Sequence, residues 1–195
     1  MVPDSIRSLL PYFAAGPVVA GFGRGSKQLG CPTANFPDEV TDGLPPGFQC
    51  GVYFGWGQVD CGPVHKMVMS IGYNPQFNNA KKTMETHLLH KFDQDFYGSI
   101  LKIAITGYIR DLTTFKSIDE LVAAIHSDIR IATEALDAPE QKSYVSHSFF
   151  KSTNQSDEVI SNGHLANTPQ LPPNTTNIVG KKENSLNRIF NDLKS

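Results

Sequence analysis

The amino-acid sequence predicts a mainly β protein: an antiparallel barrel or sandwich, followed by one helix and a polar C-terminal tail. Apolar and polar side chains alternate with period two in several segments, which is typical of strands that bury one face. Gly and Pro are frequent between these segments, so the connections favour turns. Several strands with such connections favour a barrel or sandwich over an α/β fold, and a closed barrel would remove exposed sheet edges.

The strand signals fall in five segments of the chain. The first covers residues 17–22. Residues 51–59 are rich in aromatic and β-branched side chains, and residues 64–73 and 101–109 alternate apolar and polar positions. Residues 83–89 fit a helical turn as well as a strand, and their position between two clear strands favours a strand.

One helix is predicted over about residues 117–137. Ser117 and Glu120 have the spacing of a capping box, in which each side chain accepts a hydrogen bond from the other residue's backbone N–H. Apolar residues follow at helical spacing, so this helix is expected to pack on the barrel wall with its apolar stripe as core. The stripe consists of Ile118, Leu121, Ile125, Ile129, Ala132 and Leu136.

Composition predicts one domain, residues 1–138, and a tail, residues 139–195. The chain has 195 residues and 39% hydrophobic content, enough for one core but hardly two. Residues after 138 are rich in Ser, Asn, Thr and Pro, so disorder is expected there. Within the tail, residues 182–194 have the apolar spacing of a short amphipathic helix.

Charge, cysteine content and hydropathy limit the partners and the compartment that the sequence predicts. The formal net charge of −2 argues against a nucleic-acid partner, which would need a large cationic surface. Cys31, Cys50 and Cys61 form no CxxC pair, which fits a reduced cytoplasmic protein better than a disulfide framework or a zinc site. No apolar run has membrane-spanning length, and no secretory leader is recognisable.

The loop at residues 21–37, GFGRGSKQLGCPTANFP, carries the strongest chemical signal. Its glycines allow backbone amides to approach an anion, and Lys27 adds a point charge for phosphate. Thr33 and Asn35 lie two residues apart, so in an extended segment their oxygen-bearing side chains share a face and suit Mg²⁺. The pattern indicates a nucleotide–Mg²⁺ site, although it is neither a Walker A nor a Rossmann motif, and a flexible basic loop is the alternative.

This loop, together with VHKMVMSIGYNP, METHLL, DFYG and a strand ending in GYIR, resembles the eukaryotic riboflavin kinases over about residues 11–136. The combination of PTAN (32–35) with METH (84–87) is more specific than the glycine pattern. The resemblance implies a six-stranded antiparallel Greek-key β-barrel with a C-terminal packing helix. It also implies that the γ-phosphate of ATP is transferred to the ribityl 5′-hydroxyl of riboflavin, giving FMN and ADP.

The resemblance further implies a role for individual residues on the nucleotide side. Thr33 and Asn35 correspond to Mg²⁺ ligands, with Zn²⁺ or Mn²⁺ as alternative ions. The positions that correspond to ATP contacts are Gly21, Lys27, Thr33, Leu88, His90 and Tyr97.

On the acceptor side, Glu85 corresponds to the family's catalytic residue and Arg110 to a flavin contact. A carboxylate can orient a weakly nucleophilic hydroxyl and accept its proton, whereas the alternative for Glu85 is an exposed strand carboxylate. Phe115, beside Arg110, is an aromatic candidate for the wall of the flavin site. The chain departs from the family after Arg110, where Asp111 and Leu112 replace the usual Pro and Glu.

The sequence thus predicts a monomeric, cytoplasmic, ATP-dependent riboflavin kinase. Two alternatives stay open: a kinase for another small-molecule alcohol on the same barrel, and a non-catalytic β-barrel binding module.

Overall fold

A computed structural model describes residues 3–21, 29–73 and 81–151. Its strands are β1 (Tyr12–Pro17), β2 (Ala34–Asn35), β3 (Gly51–Val59), β4 (Val64–Tyr73), β5 (Lys82–Leu88) and β6 (Ile100–Arg110). Its helices are α1 (Asp4–Arg7), α2 (Asp38–Asp42), α3 (Ile118–Leu136), α4 (Pro139–Lys142) and α5 (Ser148–Lys151), with a 3₁₀ turn at Ser143–Ser146 between the last two. Within this part of the chain, none of the helices has the length and apolar content needed to cross a membrane.

The six strands form one antiparallel sheet in the order β1-β6-β3-β4-β5-β2. Strands β3, β4 and β5 are sequential neighbours and β6 returns beside β3, which is the Greek-key order. The sheet curls so that its two edges meet at one bridge, where the Val19 amide donates to the Asn35 carbonyl at 2.9 Å. The predicted mainly β, six-stranded Greek-key architecture is therefore confirmed.

Two apolar clusters cover the two faces of the sheet, because successive side chains of a strand point to opposite sides. The inner cluster includes Tyr53, Met67, Met69, Ile71, Met84, Leu88, Leu101, Ile103 and Ile105. The helix-covered cluster consists of Val52, Phe54, Trp56, Val68, Ala104, Ala132, Leu136 and Phe150. Helix α3 therefore packs on the outer face of the sheet, as the sequence predicts.

Strands β3 and β4 have the bounds that the sequence predicts, whereas the first strand lies earlier. It covers Tyr12–Pro17 rather than residues 17–22, of which the last lies outside the described residues. Its middle, Ala14 to Gly16, has little intrinsic strand preference and is extended because it pairs with β6. Gly16 also faces the Val40 side chain, where a Cβ would come within 2.5 Å. Long-range packing, not local pattern, places this strand.

The predicted helix is confirmed as α3, but its capping box is only half formed. The Glu120 amide donates to the Ser117 hydroxyl oxygen at 3.2 Å, as expected. The Glu120 carboxylate accepts from the Lys116 amide at 2.9 Å instead of from the Ser117 amide. The carboxylate thus closes the turn one residue earlier, and the helix still begins after its Ser117 cap.

The prediction that the chain becomes disordered after residue 138 is wrong for residues 139–151. These residues form α4, the 3₁₀ turn and α5, and Phe150 is buried in the helix-covered cluster. Phe149 and Phe150 supply the apolar surface that packs this segment on the sheet, although the tail as a whole has a polar composition. Residues 152–195, which include the predicted helix at 182–194, lie outside the described residues.

We expect a chain ending at Ala138 to be less stable than one ending at Lys151 by about 2–4 kcal/mol. The shorter chain loses the burial of Phe150, and Trp56 loses the Gln141 carbonyl that accepts its indole N–H at 3.0 Å. Urea unfolding of both truncations measures the difference. Equal midpoints would show that the segment contributes nothing to the fold.

Candidate active site

A cavity of about 320 Å³ lies between the outer face of the sheet, helix α3 and the segment that joins β6 to α3. Its polar lining is Cys31, Thr33, Ser70, Glu85, His87, Arg110, Thr113 and Asp128. Its apolar lining is Val52, Val68, Leu112, Phe115, Leu121, Ile125 and Ile129. Groups predicted for the phosphate side, the catalytic position and the flavin side therefore share one cavity.

At one end of the cavity, the pairing of β2 with β5 brings three oxygen-bearing side chains together. Asn35 is the direct partner of Glu85, and opposed residues of an antiparallel pair point to the same side. Thr33, two residues before Asn35, lines the cavity with Glu85. The structure thus places the predicted metal pair beside the predicted catalytic carboxylate, while the roles of these residues stay predictions.

The alternation of β5 explains why Glu85 faces the cavity. Met84, Thr86 and Leu88 are buried on the inner side, whereas Glu85 and His87 point outward between the sheet and its cover. A shift of register by one residue would exchange the two sets. The predicted strand at residues 83–89 is confirmed, with observed bounds Lys82–Leu88.

Gly21 lies against the side chain of Asn35. A Cβ at this position would overlap the Asn35 carboxamide, so a larger residue there would displace that side chain. Asn35 is itself buried, with only 8% of its surface exposed. Contact with Gly21 therefore helps to hold the carboxamide in place. Lys27, the predicted phosphate contact between Gly21 and Thr33, lies outside the described residues.

Arg110 forms a bidentate ion pair with Asp128 of α3. The guanidinium Nε donates to Oδ1 at 2.9 Å and a terminal nitrogen donates to Oδ2 at 2.7 Å. The Asp128 side chain is 5% exposed and that of Arg110 29% exposed. The Phe115 ring centre lies 5.7 Å from the guanidinium carbon, within cation–π range. The two predicted flavin contacts, Arg110 and Phe115, therefore meet at the cavity.

Asp128 is a site residue that the sequence reasoning missed. A signal for it exists, because Asp128 follows Ile125 by three residues and precedes Ala132 by four, which puts a carboxylate on the apolar side of the helix. A buried carboxylate needs a partner, so its position on that stripe indicates a cation opposite. Arg110 supplies that charge.

The apolar stripe of α3 divides into two parts. Ala132 and Leu136 are buried against the sheet, as predicted. Leu121, Ile125 and Ile129 are only half-buried, because they line the cavity. The prediction that the whole stripe is core is therefore wrong for these three residues, which form an apolar wall of the site.

The departure from the family pattern at Asp111 and Leu112 is accommodated locally. The Tyr108 hydroxyl donates to the Asp111 carboxylate, and the Asp111 carbonyl accepts from Arg110 at 3.1 Å. Burial, helped by the bond to Asp111, raises the pKa of Tyr108 to about 12, so its hydroxyl stays protonated. Leu112 lines the cavity and lies against Gly72, where a Cβ would come within 2.5 Å of it.

The structure does not bring the other predicted nucleotide contacts to this cavity. The Leu88 side chain is buried in the inner cluster. His90 stacks on His65 with ring centres 4.1 Å apart, and Tyr97 is exposed. Burial lowers the pKa of His65, and the neighbouring His90 lowers it further. Contacts of Leu88, His90 and Tyr97 with ATP stay predictions.

Two further features of the site concern the Cys31 thiol and the side chains able to bind a metal ion. Burial raises the pKa of the Cys31 thiol, which therefore stays protonated in the cavity wall. Across residues 3–21, 29–73 and 81–151, no group of three or more His, Cys, Asp or Glu side chains could hold a metal ion.

The chain resembles known proteins both in sequence and in structure. Residues 9–136 match the family model described as Flavokinase: Riboflavin kinase. The chain is 52% identical over 155 residues to the riboflavin kinases of Homo sapiens and of Mus musculus, covering 80% of this chain and 98% of each relative. The crystal structure of riboflavin kinase from Trypanosoma brucei superposes with a TM-score of 0.60 and 34% identity, covering 75% of this chain and 89% of that one.

Proposed function

The chain belongs to the riboflavin kinase family, and we propose that it transfers the γ-phosphate of ATP to the ribityl 5′-hydroxyl of riboflavin, forming FMN and ADP. One observation carries this proposal. A single cavity is lined by Thr33, Glu85 and Arg110, which are the groups expected for the metal-bound phosphate, the reacting hydroxyl and the flavin. The alternatives, another alcohol kinase or a non-catalytic binding module, are not favoured. The chain matches 98% of the length of two relatives, and both are riboflavin kinases.

In the proposed reaction, Glu85 is the catalytic base. The 5′-hydroxyl oxygen attacks the γ-phosphorus, the bond from that phosphorus to the β–γ bridging oxygen breaks, and ADP leaves. The free hydroxyl is a weak nucleophile and therefore needs a base. The Glu85 carboxylate fills this role and accepts the hydroxyl proton late in the transfer. Phosphoryl transfer depends mainly on positioning and charge neutralisation, so the carboxylate also serves to aim the hydroxyl.

The proposed metal ligands are the Thr33 hydroxyl and the Asn35 carboxamide oxygen. Both are neutral oxygen donors, which fits Mg²⁺ or Mn²⁺ better than Zn²⁺, whose usual ligands include nitrogen and sulfur. Two neutral ligands hold such an ion weakly, so the remaining ligands would come from ATP phosphates and water. A bound ion would neutralise negative charge on the phosphates during transfer.

We assign the nucleotide to the side of the cavity next to β2 and β5. Gly21 and Lys27 are proposed to hold the phosphates, with backbone amides of the glycine-rich loop. His90 and Tyr97 are proposed to approach the nucleoside. Leu88 would contribute through its backbone, since its side chain is committed to the inner cluster.

The flavin is assigned to the opposite end, between Arg110, Phe115 and the apolar wall of α3. A flat, largely apolar ring system suits an aromatic side chain and aliphatic neighbours. Leu121, Ile125 and Ile129 supply the aliphatic surface. The guanidinium, held by its ion pair, would offer donors to polar atoms at the ring edge.

Incubation of the protein with riboflavin and ATP–Mg²⁺ tests the function directly. We expect FMN and ADP to form in equal amounts, measured by chromatography of the products. A panel of other alcohols should give no comparable phosphorylation. Product from another alcohol but not from riboflavin would favour a different kinase, and riboflavin binding without turnover would favour a binding module.

We also propose that the enzyme is a monomer in the cytoplasm with no nucleic-acid partner. Cys31, Cys50 and Cys61 are free thiols, which supports a reducing compartment. The net charge of −2 gives little attraction for nucleic acid. Sedimentation velocity of the full chain measures the oligomeric state.

A further inference from the structure

We propose that His87 is a positioning residue: its ring holds the Pro32 carbonyl and thereby sets Thr33 in place beside Glu85. This inference rests on the proposed function, because it concerns the assembly of the metal-side and base-side groups. His87 lines the cavity together with Thr33 and Glu85. It is also on the same face of β5 as Glu85, two residues away.

The contact between His87 and Pro32 defines the tautomer of the ring. The His87 Nδ1 lies 2.8 Å from the Pro32 carbonyl oxygen, which can only accept a hydrogen bond. Nδ1 therefore carries the hydrogen, and in the neutral ring Nε2 is left as an acceptor. The His87 side chain on β5 thus donates a hydrogen bond to the backbone of the PTAN segment and acts as a clamp between the two segments.

The need for such a clamp follows from the shortness of β2. Its pairing with β5 covers only Ala34 with Thr86 and Asn35 with Glu85. Thr33 is the first residue beyond this ladder, and continuing the register by one residue would set it opposite His87. The side-chain bond to Pro32 extends the connection between the two segments past the end of the ladder.

The consequence concerns Thr33 more than Asn35. Asn35 is held by its place in β2, by the Val19 bridge and by its contact with Gly21. Thr33 lies outside β2, so the position of its backbone follows the path of the chain at Pro32. Because geometry errors of about 1 Å can cost on the order of 100-fold in rate, the clamp is expected to affect phosphate-side function strongly.

Two amide substitutions test the contributions of the two ring nitrogens separately. In His87→Asn the side-chain amide lies where Nδ1 was and can donate to the Pro32 carbonyl. In His87→Gln the amide lies where Nε2 was, beyond that carbonyl. We expect Gln to lower kcat/KM for ATP–Mg²⁺ by about 10- to 100-fold and Asn to stay within about 3-fold of wild type.

A binding readout separates this inference from the proposed function. Calorimetry with a non-hydrolysable ATP analogue, with and without Mg²⁺, needs no turnover. We expect Mg²⁺ to tighten binding in wild type and in the Asn variant but not in the Gln variant. His126→Gln, an exposed histidine on α3, is the matched control. If wild type forms no FMN but the calorimetric pattern holds, the proposed function fails and the positioning role stands.

Equal Mg²⁺ dependence in the Asn and Gln variants would overturn the proposal. A measurement on the wild-type protein keeps it testable even if a variant does not fold. Two-bond ¹H–¹⁵N spectra of the His87 ring, recorded at a pH where the ring is neutral, should show a protonated Nδ1 and an unprotonated Nε2. The opposite tautomer would equally overturn the proposal.

Discussion

Replacement of Glu85 by Gln is expected to lower turnover by about 10²–10⁴ while leaving the binding of both substrates close to wild type. The amide keeps the shape of the carboxylate and its place opposite Asn35, but it cannot accept the proton of the ribityl hydroxyl. The loss should therefore appear in kcat. The Kd for riboflavin should change little, because the flavin-side contacts remain.

Initial rates with ATP–Mg²⁺ and quenching of riboflavin fluorescence on binding measure the two quantities separately. Glu39→Gln is the matched control, because Glu39 is an exposed carboxylate on α2. Wild-type turnover in the Glu85 variant would exclude this carboxylate from proton transfer. Loss of riboflavin binding would instead indicate that Glu85 holds the substrate in the ground state.

Replacement of Asp128 by Ala is expected to weaken riboflavin binding by about 10- to 100-fold, since it removes charge-assisted hydrogen bonds that hold Arg110. Asp128 is almost fully buried and accepts two hydrogen bonds from the Arg110 guanidinium. Its loss should also lower the free energy of unfolding by about 1–3 kcal/mol, less than for a fully buried pair, because the partly exposed Arg110 can regain water.

Riboflavin titrations and urea unfolding measure both effects, and Asp128→Asn should fall between Ala and wild type. Glu134→Gln on the same helix is the control, because Glu134 and Arg130 form an ion pair with both side chains more than 60% exposed. Unchanged riboflavin affinity in Asp128→Ala would show that Arg110 needs no anchor. Unchanged stability would show that the ion pair only offsets its own desolvation.

The regular elements were predictable where the local pattern is strong. Strand β3 is rich in aromatic and β-branched residues, strand β4 alternates apolar and polar positions, and helix α3 follows a capped start, so local rules define them. The sequence places the first strand too late, because the alanines and glycine of β1 have no local strand preference. The order of residues 139–151 is not evident from composition, because the average over a long polar tail hides a short aromatic segment.

The candidate site was predictable only in part. The PTAN and METH segments identify Thr33, Asn35 and Glu85 through a family resemblance, and the structure brings them together. Asp128 was missed, although its position on an apolar stripe marks it. The dual role of α3, with Ala132 in the core and Ile125 at the cavity, depends on where the helix lies over the sheet.

What can be predicted from the sequence alone depends on how far apart in the chain the interacting residues lie. Alternation, turn residues and a helix cap act within a few residues, so the order and type of most elements can be derived from the chain alone. The pairing of Asn35 with Glu85 and of Arg110 with Asp128 joins segments that are distant in sequence. Only the curled sheet with its packed helix sets those distances, because burial of both sheet faces selects one register and one helix position.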